Sequence, residues 1–188
     1  MRITLMAVAT AVFLTACGTS PAPKPTAASA TPAAVSTAKQ AVANLAAASG
    51  SLVSGKITAT PMGDGVHLTG TVGGLAPNSS HGFHVHEKGD CSAADATSAG
   101  PHFNPAATAH GKAETGTHHA GDMDNVVANA EGVVNVNVHV KGVTLGGGAA
   151  NDIAGRALIV HAAPDDYTSQ PAGNAGARVA CGVIKVTQ

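Results

Sequence analysis

Aromatic and charged residues are both scarce in this sequence. Of its 188 residues none is tryptophan, one is tyrosine and three are phenylalanine, and only 11% are charged. Because 44% of the residues are apolar, the chain is not a charge-rich disordered protein. No apolar run reaches the roughly 18 residues of a transmembrane helix, which excludes such a helix. The formal net charge of −1 and the lack of a basic run argue against nucleic acid as a partner.

Histidine, by contrast, is abundant. The sequence contains ten histidines, as many as its lysines and arginines together. Histidine is the commonest metal ligand, and the neutral imidazole adds no charge. The only aromatic candidates for a core are Phe83, Phe103 and Tyr167, so the core is thin and a metal or a disulfide would help to stabilise it. A metal site is therefore the first hypothesis to test.

The N-terminal residues indicate export and a membrane anchor. Arg2 precedes an apolar stretch at 3–14, and residues 1–16 together are typical of a signal peptide. The stretch ends in LTAC (14–17), which resembles the bacterial lipobox and implies cleavage before Cys17 and lipid attachment to it. The alternative is an ordinary signal peptide with a chance cysteine. Gly18 after the cysteine favours the outer membrane over the inner one, so we expect a lipoprotein of the bacterial cell envelope that faces the periplasm.

Residues 17–50 are predicted to be a flexible linker. The segment is rich in proline, alanine, serine and threonine, a composition that cannot bury a core. Its alanine-rich part, 36–48, could form a weak helix, but isolated short helices are marginal. The folded domain is accordingly expected over residues 51–188.

The domain has the pattern of an all-β protein. Apolar and polar residues alternate at 56–60 and 66–72 around the turn residues 63–65, which predicts a hairpin. Further strands are predicted at 82–86, 133–140, 157–161 and 179–186. Short strands with Gly- and Pro-rich turns favour an antiparallel sandwich or barrel. A long segment without strand pattern, 87–126, carries most of the candidate ligands, as functional loops do.

Three cysteines leave a simple choice of pairing. If Cys17 carries lipid, Cys91 and Cys181 remain, and in an oxidising compartment we expect them to form a disulfide. In the chain-entropy model such a bridge, which closes a loop of about 90 residues, stabilises the fold by about 4–5 kcal/mol. The alternative is two buried free thiols.

The spacing of the histidines predicts two kinds of metal site. His84 and His86 lie two apart on a strand, so both side chains point to one face. The remaining candidates are His102, His110, His119, Asp122 and His161. Three histidines and an aspartate in a loop are typical of a tetrahedral zinc site, whereas three or four histidines without a thiolate suit copper.

Four motifs, in this order, resemble those of the bacterial copper–zinc superoxide dismutases. They are GFHVHE (82–87), TSAGPHFNP (97–105), HAGD (119–122) and GNAGARVACGVI (173–184). The resemblance runs from about residue 51 to the C-terminus. It implies a Greek-key antiparallel β-sandwich or barrel with long metal-binding loops. It also implies an enzyme that converts superoxide to oxygen and hydrogen peroxide by alternate reduction and oxidation of copper.

The resemblance also implies the ligand sets. The copper ligands would be His84, His86, His102 and His161. The zinc ligands would be His102, His110, His119 and Asp122. His102 would therefore bridge both metals, and would leave copper and carry a proton when copper is reduced. His118 is an alternative to its neighbour, but the spacing of the HAGD motif favours His119.

Other residues match positions around the metals. Asp165 would link the rings of His84 and His110, as carboxylates next to metal-bound histidines do. Arg178 would lie beside the open copper position, where a fixed cation attracts a small anion. The two cysteines expected to pair also match the family's disulfide.

The segment that corresponds to the substrate-steering loop of eukaryotic relatives departs from their pattern. Residues 167–172 form a shorter segment without charged residues, so the role of steering substrate is not assigned to it. Residues 51–188 contain 7 Lys and Arg and 11 Asp and Glu, a net charge of −4 that repels superoxide. Attraction must then be local, from Arg178 with Lys88 and Lys112 as weaker candidates.

Two alternatives to the enzyme remain. The first is a lipoprotein that binds copper or zinc for storage or delivery, and the second is a sandwich that has lost its metals. The complete ligand set and Arg178 favour the enzyme. His67, His81 and His139 match no ligand and are expected to be surface or hydrogen-bonded histidines. The sequence leaves the oligomeric state open, with a homodimer as one alternative.

Overall fold

Short antiparallel strands form most of the structure. The computed structural model describes residues 35–188; the predicted signal peptide (1–16), Cys17 and the linker as far as residue 34 lie outside the described residues. The strands are β1 (Ala41–Ala47), β2 (Ser54–Met62), β3 (Gly65–Gly73), β4 (Ser80–His81), β5 (Phe83–His86), β6 (Val126–Val127), β7 (Val134–Lys141), β8 (Ala157–His161), β9 (Arg178–Val183) and β10 (Lys185–Val186). The one helical element among these residues is a 3₁₀ turn at Thr97–Ala99. Over the described range no helix has the length and apolarity to cross a membrane.

The sheet joins strands that are far apart in the chain. Its order is β5-β8-β9-β1-β2-β3-β7, with β10 on the other part of β1 and with β4 and β6 as a separate pair. Every pairing between these strands is antiparallel, including that of β1 with the distant β9. The predicted hairpin is present as β2 and β3, which close at Met62 and Gly65. The prediction of an all-β antiparallel fold is confirmed.

The folded part begins earlier than the sequence pattern predicted. The alanine-rich segment is a strand, β1, and neither a helix nor part of a linker that ends at residue 50. Ala41, Ala43 and Leu45 are buried and alternate with more exposed neighbours, and β2 and β9 pair with the two parts of the strand. Because pairing on both sides satisfies its backbone, tertiary context outweighs the helix propensity of alanine. Even Ser36 contacts the fold, since its hydroxyl accepts the backbone N–H of Leu145 at 2.9 Å.

The core is aliphatic, as the composition indicated. The largest fully buried side chains include Ile57, Leu68, Leu158 and Ile159, together with Phe83. The predicted disulfide is also confirmed. Cys91 and Cys181 are bonded with their Cα atoms 5.8 Å apart, which attaches the start of the irregular segment to β9.

Backbone hydrogen bonds hold the irregular segment 87–126 against β5. The N–H of Val85 donates to the carbonyl of Gly121 (2.9 Å), and the N–H of Phe103 donates to the carbonyl of Val85 (2.8 Å). A Cβ atom on Gly121 would lie 2.2 Å from the carbonyl oxygen of Val85, so only glycine allows this close approach. The segment is irregular but has a defined position beside the strand that carries two of the histidines.

The position of β1 predicts how far the N-terminus can be shortened. We expect a chain that begins at residue 35 to fold, because it keeps β1. A chain that begins at residue 51 should not fold, because it loses a strand that is paired on both sides and contributes buried side chains. Circular dichroism and thermal unfolding of the two purified chains measure this. A cooperative unfolding transition in the shorter chain would contradict the central role of β1.

Candidate metal centre

Six histidines and one aspartate form two adjoining clusters. The first cluster contains His84, His86, His102 and His161, and the second contains His102, His110, His119 and Asp122. Within each cluster one nitrogen or oxygen per residue lies within 4.8 Å of all the others, and every member is buried. His102 belongs to both clusters. All the predicted ligands are therefore brought together.

In the first cluster, a hydrogen bond at one nitrogen of each outer ring directs the other nitrogen inward. Nδ1 of His86 donates to the carbonyl of Gly100 (2.8 Å), and Nδ1 of His161 donates to the carbonyl of Gly176 (3.3 Å). A carbonyl can only accept, so both rings carry their proton at Nδ1 when neutral. Their Nε2 atoms then face each other at 3.4 Å as two lone pairs. A cation between them would stabilise such a convergence of acceptors.

In the second cluster, Asp122 contacts three rings. Its Oδ1 accepts from Nδ1 of His102 at 2.7 Å and lies 3.3 Å from Nδ1 of His119, and its Oδ2 lies 3.0 Å from Nδ1 of His110. The backbone N–H of His119 also donates to Oδ2 (2.8 Å). Burial opposes ionisation of this carboxyl, but the hydrogen bonds from His102 and from the backbone outweigh it and lower its pKa well below the usual range. His118 lies outside the cluster, with its Nδ1 bonded to the carbonyl of its neighbour.

Asp165 forms hydrogen bonds to one histidine of each cluster. Its carboxylate accepts from Nε2 of His84 (2.8 Å) and from Nε2 of His110 (2.9 Å), and the backbone N–H of Tyr167 donates to it as well (2.7 Å). Gly173 lies against this contact with a φ of +63°, and a Cβ there would be 1.8 Å from Oδ1 of Asp165. The predicted link between the two rings is therefore present in the geometry.

Several buried nitrogens in the clusters have no hydrogen-bond partner. They are Nδ1 of His84, Nε2 of His102, Nδ1 of His110 and Nδ1 of His119. Both ring nitrogens of His110 lie against carboxylates, Nε2 at 2.9 Å from Asp165 and Nδ1 at 3.0 Å from Asp122. A ring that carries a single N–H can donate to only one of them, so the other contact places two acceptors together. Buried polar atoms without partners cost free energy, and a bound cation would remove that cost. A four-histidine set and a set of three histidines and one carboxylate fit copper and zinc, respectively.

Burial keeps the imidazoles of His84, His86 and His161 neutral. It lowers the pKa of His84 to about 4 and that of His161 to about 3, although Asp165 opposes the shift at His84 and Gly176 opposes it at His161. Burial also lowers the pKa of His86 and of His119. At neutral pH the lone pairs of these rings are therefore free to bind a metal.

A cavity of about 510 Å³ opens onto the first cluster. His86, His102 and His161 line it on one side and Arg178 on another. The guanidinium of Arg178 is fixed by donation from Nη1 to the carbonyl of Ala96 and from Nη2 to the carbonyl of Gly100, both at 2.7 Å. Since the carbonyl of Gly100 also accepts from His86, one backbone group positions both a cation and a cluster ring.

The two lysines considered for steering lie elsewhere. Lys88 is 3.8 Å from the carboxylate of Glu87, and Lys112 is 3.9 Å from that of Asp124. Neither lysine lines the cavity. Of the histidines without a predicted ligand role, His81 is buried and bonds to the carbonyl of His161 (2.8 Å).

Sequence reasoning missed the side-chain amides around the clusters. Asn125 both donates to the carbonyl of Asp165 (2.9 Å) and accepts its N–H (2.8 Å). Gln170 makes the same pair of bonds to the backbone of His110, each at 2.9 Å. A single amide residue in a loop has no spacing or pattern that indicates such a contact.

Comparison with known proteins gives consistent results. The family described as copper/zinc superoxide dismutase (SODC) matches residues 53–184. The Cu-Zn superoxide dismutase 2 of Aquifex aeolicus (strain VF5) is 43% identical over 136 residues, which cover 71% of this chain and 80% of the relative. Superoxide dismutase 1 of the same organism is 43% identical over 134 residues, which cover 70% and 79%. The crystal structure of the clock protein EA4 matches with a TM-score of 0.72 and 38% identity, and the match covers 82% of this chain and 98% of that one.

The buried neutral imidazoles predict acid sensitivity of the metal-free protein. Because the folded pKa values of His84 and His161 lie below the unfolded value of about 6.5, the unfolded chain binds more protons as the pH falls from about 7 to about 5. One such imidazole costs about 2 kcal/mol of stability by pH 5. Carboxylates add to the loss only below about pH 4.

Thermal unfolding of the metal-free protein between about pH 8 and pH 5 measures this effect. The unfolding temperature should be constant above pH 7 and fall steadily below it. A constant or rising unfolding temperature down to pH 5 would contradict the neutral state of the buried rings.

Proposed function

The chain belongs to the copper/zinc superoxide dismutase family, and we propose that His84, His86, His102 and His161 hold its copper while His102, His110, His119 and Asp122 hold its zinc. The protein is an oxidoreductase that converts superoxide to oxygen and hydrogen peroxide. When bound, copper would supply the one-electron chemistry by alternate reduction and oxidation, and His102 belongs to both proposed ligand sets. We infer the roles of the other residues from their positions and contacts.

The position of His102 is the observation that carries this proposal. Its Nδ1 faces the second cluster at 2.7 Å from Asp122, and its Nε2 is buried without a partner. The ring centroid of His102 lies 4.1 Å from that of His84 and 5.5 Å from that of His119. A single ring can thus serve both half-sites. His102 would then hold a proton at Nε2 when copper is reduced, while its Nδ1 stays in the second cluster beside Asp122.

Arg178 attracts and orients the substrate. Residues 35–188 contain 8 Lys and Arg and 11 Asp and Glu, a net charge of −3, so the overall field repels an anion. The guanidinium on the wall of the cavity provides a local positive charge next to His86 and His161, and it is the only Lys or Arg side chain on that wall among the described residues. A protein that only stores metal would need neither this cavity nor this cation, so the alternative of a delivery protein is not favoured.

Substitutions in the two roles should have different consequences. His84→Ala should abolish copper binding and superoxide removal, because it deletes a ligand. Arg178→Ala should keep both metals but lower the rate about ten-fold, with a weaker dependence on salt, because it removes only local attraction. Arg178→Lys should retain part of the rate. Metal analysis of each purified protein and a superoxide-decay assay at two salt concentrations measure these effects.

His67→Ala is the matched control, since His67 lies outside both clusters. It should keep the metal content and the activity of the original protein. Full activity of His84→Ala would contradict the copper assignment. Loss of metal from Arg178→Ala would contradict the separation of binding from attraction.

We propose further that the protein is a lipoprotein of the bacterial cell envelope. The motif LTAC (14–17) supports lipid attachment at Cys17, and Gly18 supports the outer membrane. The disulfide Cys91–Cys181 supports an oxidising compartment such as the periplasm. Residues 17–34 would then tether the enzyme to the membrane while leaving it in the periplasm.

The anchor can be tested by one substitution. Cys17→Ser should move the protein from the membrane fraction to the soluble fraction of a bacterial host, because it removes the site of lipid attachment. Thr19→Ser, a control outside the motif, should leave the protein in the membrane fraction. Equal membrane association of the two variants in detergent-free fractionation would contradict lipid attachment at Cys17.

A further inference from the structure

Gln170 holds the backbone of His110 through both ends of its amide. Its Oε1 accepts the N–H of His110 at 2.9 Å, and its Nε2 donates to the carbonyl of the same residue at 2.9 Å. The Gln170 amide thus bonds to both backbone groups of one residue, as a neighbouring strand does in an antiparallel sheet, although His110 lies in no strand. Because both bonds act on one residue, they restrict its rotation as well as its position.

A preformed turn presents Gln170 to His110. Oδ1 of Asp166 accepts the N–H groups of Thr168 (2.9 Å) and Ser169 (2.8 Å), and its Oδ2 accepts the Ser169 hydroxyl (2.6 Å). The N–H of Gly173 then donates to the carbonyl of Ser169 at 2.7 Å and closes the segment. The residues just before Gln170 are therefore fixed independently of its contact with His110.

The same segment holds His110 from a second direction. Asp165, directly before the turn, accepts from Nε2 of the His110 ring, while Gln170 holds the His110 backbone. Two side chains five positions apart thus fix the main chain and the ring of one residue. What remains free is the ring's Nδ1, which points to Asp122 at 3.0 Å.

We propose that Gln170 is a positioning residue of the zinc half-site, and that the uncharged segment 167–172 serves to hold His110 where longer loops steer substrate. The inference rests on the proposed zinc assignment of His110. Outer partners of metal ligands commonly change metal affinity ten- to hundred-fold, and a contact one residue further out should have a smaller effect. Its hydrogen bonds act on the zinc side, because Gln170 makes none to the other ligands, although its side chain also lines the cavity that opens onto the first cluster.

The experiment follows zinc release from the copper- and zinc-loaded enzyme. Gln170→Met keeps the length of the side chain and removes both hydrogen bonds. We expect it to release zinc to a colorimetric chelator about three to ten times faster than the original protein. The visible absorption of the bound copper should not change, because Gln170 makes no hydrogen bond to a residue of the first cluster. Gln170 is exposed, so water can replace its two bonds to the His110 backbone and the unfolding temperature of the metal-free protein should fall only slightly. A merely structural defect would lower the unfolding temperature markedly as well.

Two further variants sharpen the test. Gln170→Glu keeps the acceptor for the N–H of His110 and loses the donor to its carbonyl. Its rate of zinc release should therefore lie between those of Gln170→Met and of the unsubstituted protein. Gln40→Met is the matched control, because among the described residues the side chain of Gln40 hydrogen-bonds only to Thr187, far from the clusters in sequence. Zinc release at the original rate from Gln170→Met would overturn the positioning role. An original protein that binds no zinc would instead overturn the proposed zinc assignment.

Discussion

Both halves of the metal centre depend on the ring of His102, which belongs to both clusters. Its Nδ1 bonds to Asp122 in one cluster, and its Nε2 faces the other cluster without a partner. Both clusters are buried, and His84, His86, His110 and His161 donate hydrogen bonds to carbonyl or carboxylate groups outside the clusters. The lone pairs that remain converge, which only cations can stabilise at this depth. The centre is therefore a site in which binding metal and completing the fold are coupled.

The scaffold divides the ligands between rigid and irregular elements. The sheet supplies His84 and His86 from β5 and His161 from the end of β8, so copper would be held mostly by paired strands. The other ligands come from the irregular segment, which has no ladder of its own. A disulfide, Asp122 and the amides of Asn125 and Gln170 fix that region instead. These ligands thus lie on a loop, but on one that specific hydrogen bonds and a disulfide hold in place.

Part of this arrangement could be predicted from the sequence, and the limits are physical. The hairpin and the later strands follow from alternation. The spacing of the histidines indicates candidate ligands, and the resemblance to the family assigns them to two sets. Strand β1 was missed because alternating alanines become a strand only between two neighbours, which a local pattern does not contain. The pair of hydrogen bonds from Gln170 to the His110 backbone was missed because Gln170 lies 60 positions away in the sequence and resembles any loop glutamine. The finding that His119 and not His118 lies in the cluster agrees with the spacing before Asp122.

The central claim is that one imidazole lies between two different metals. Anomalous diffraction from crystals of the oxidised, metal-loaded protein, recorded on both sides of the copper and zinc absorption edges, tests it most directly. The account predicts a copper peak beside Nε2 of His102, enclosed by His84, His86 and His161, and a zinc peak beside Nδ1, next to Asp122. A single peak, or two peaks of the same element, or a His102 ring that contacts only one of them, would contradict it.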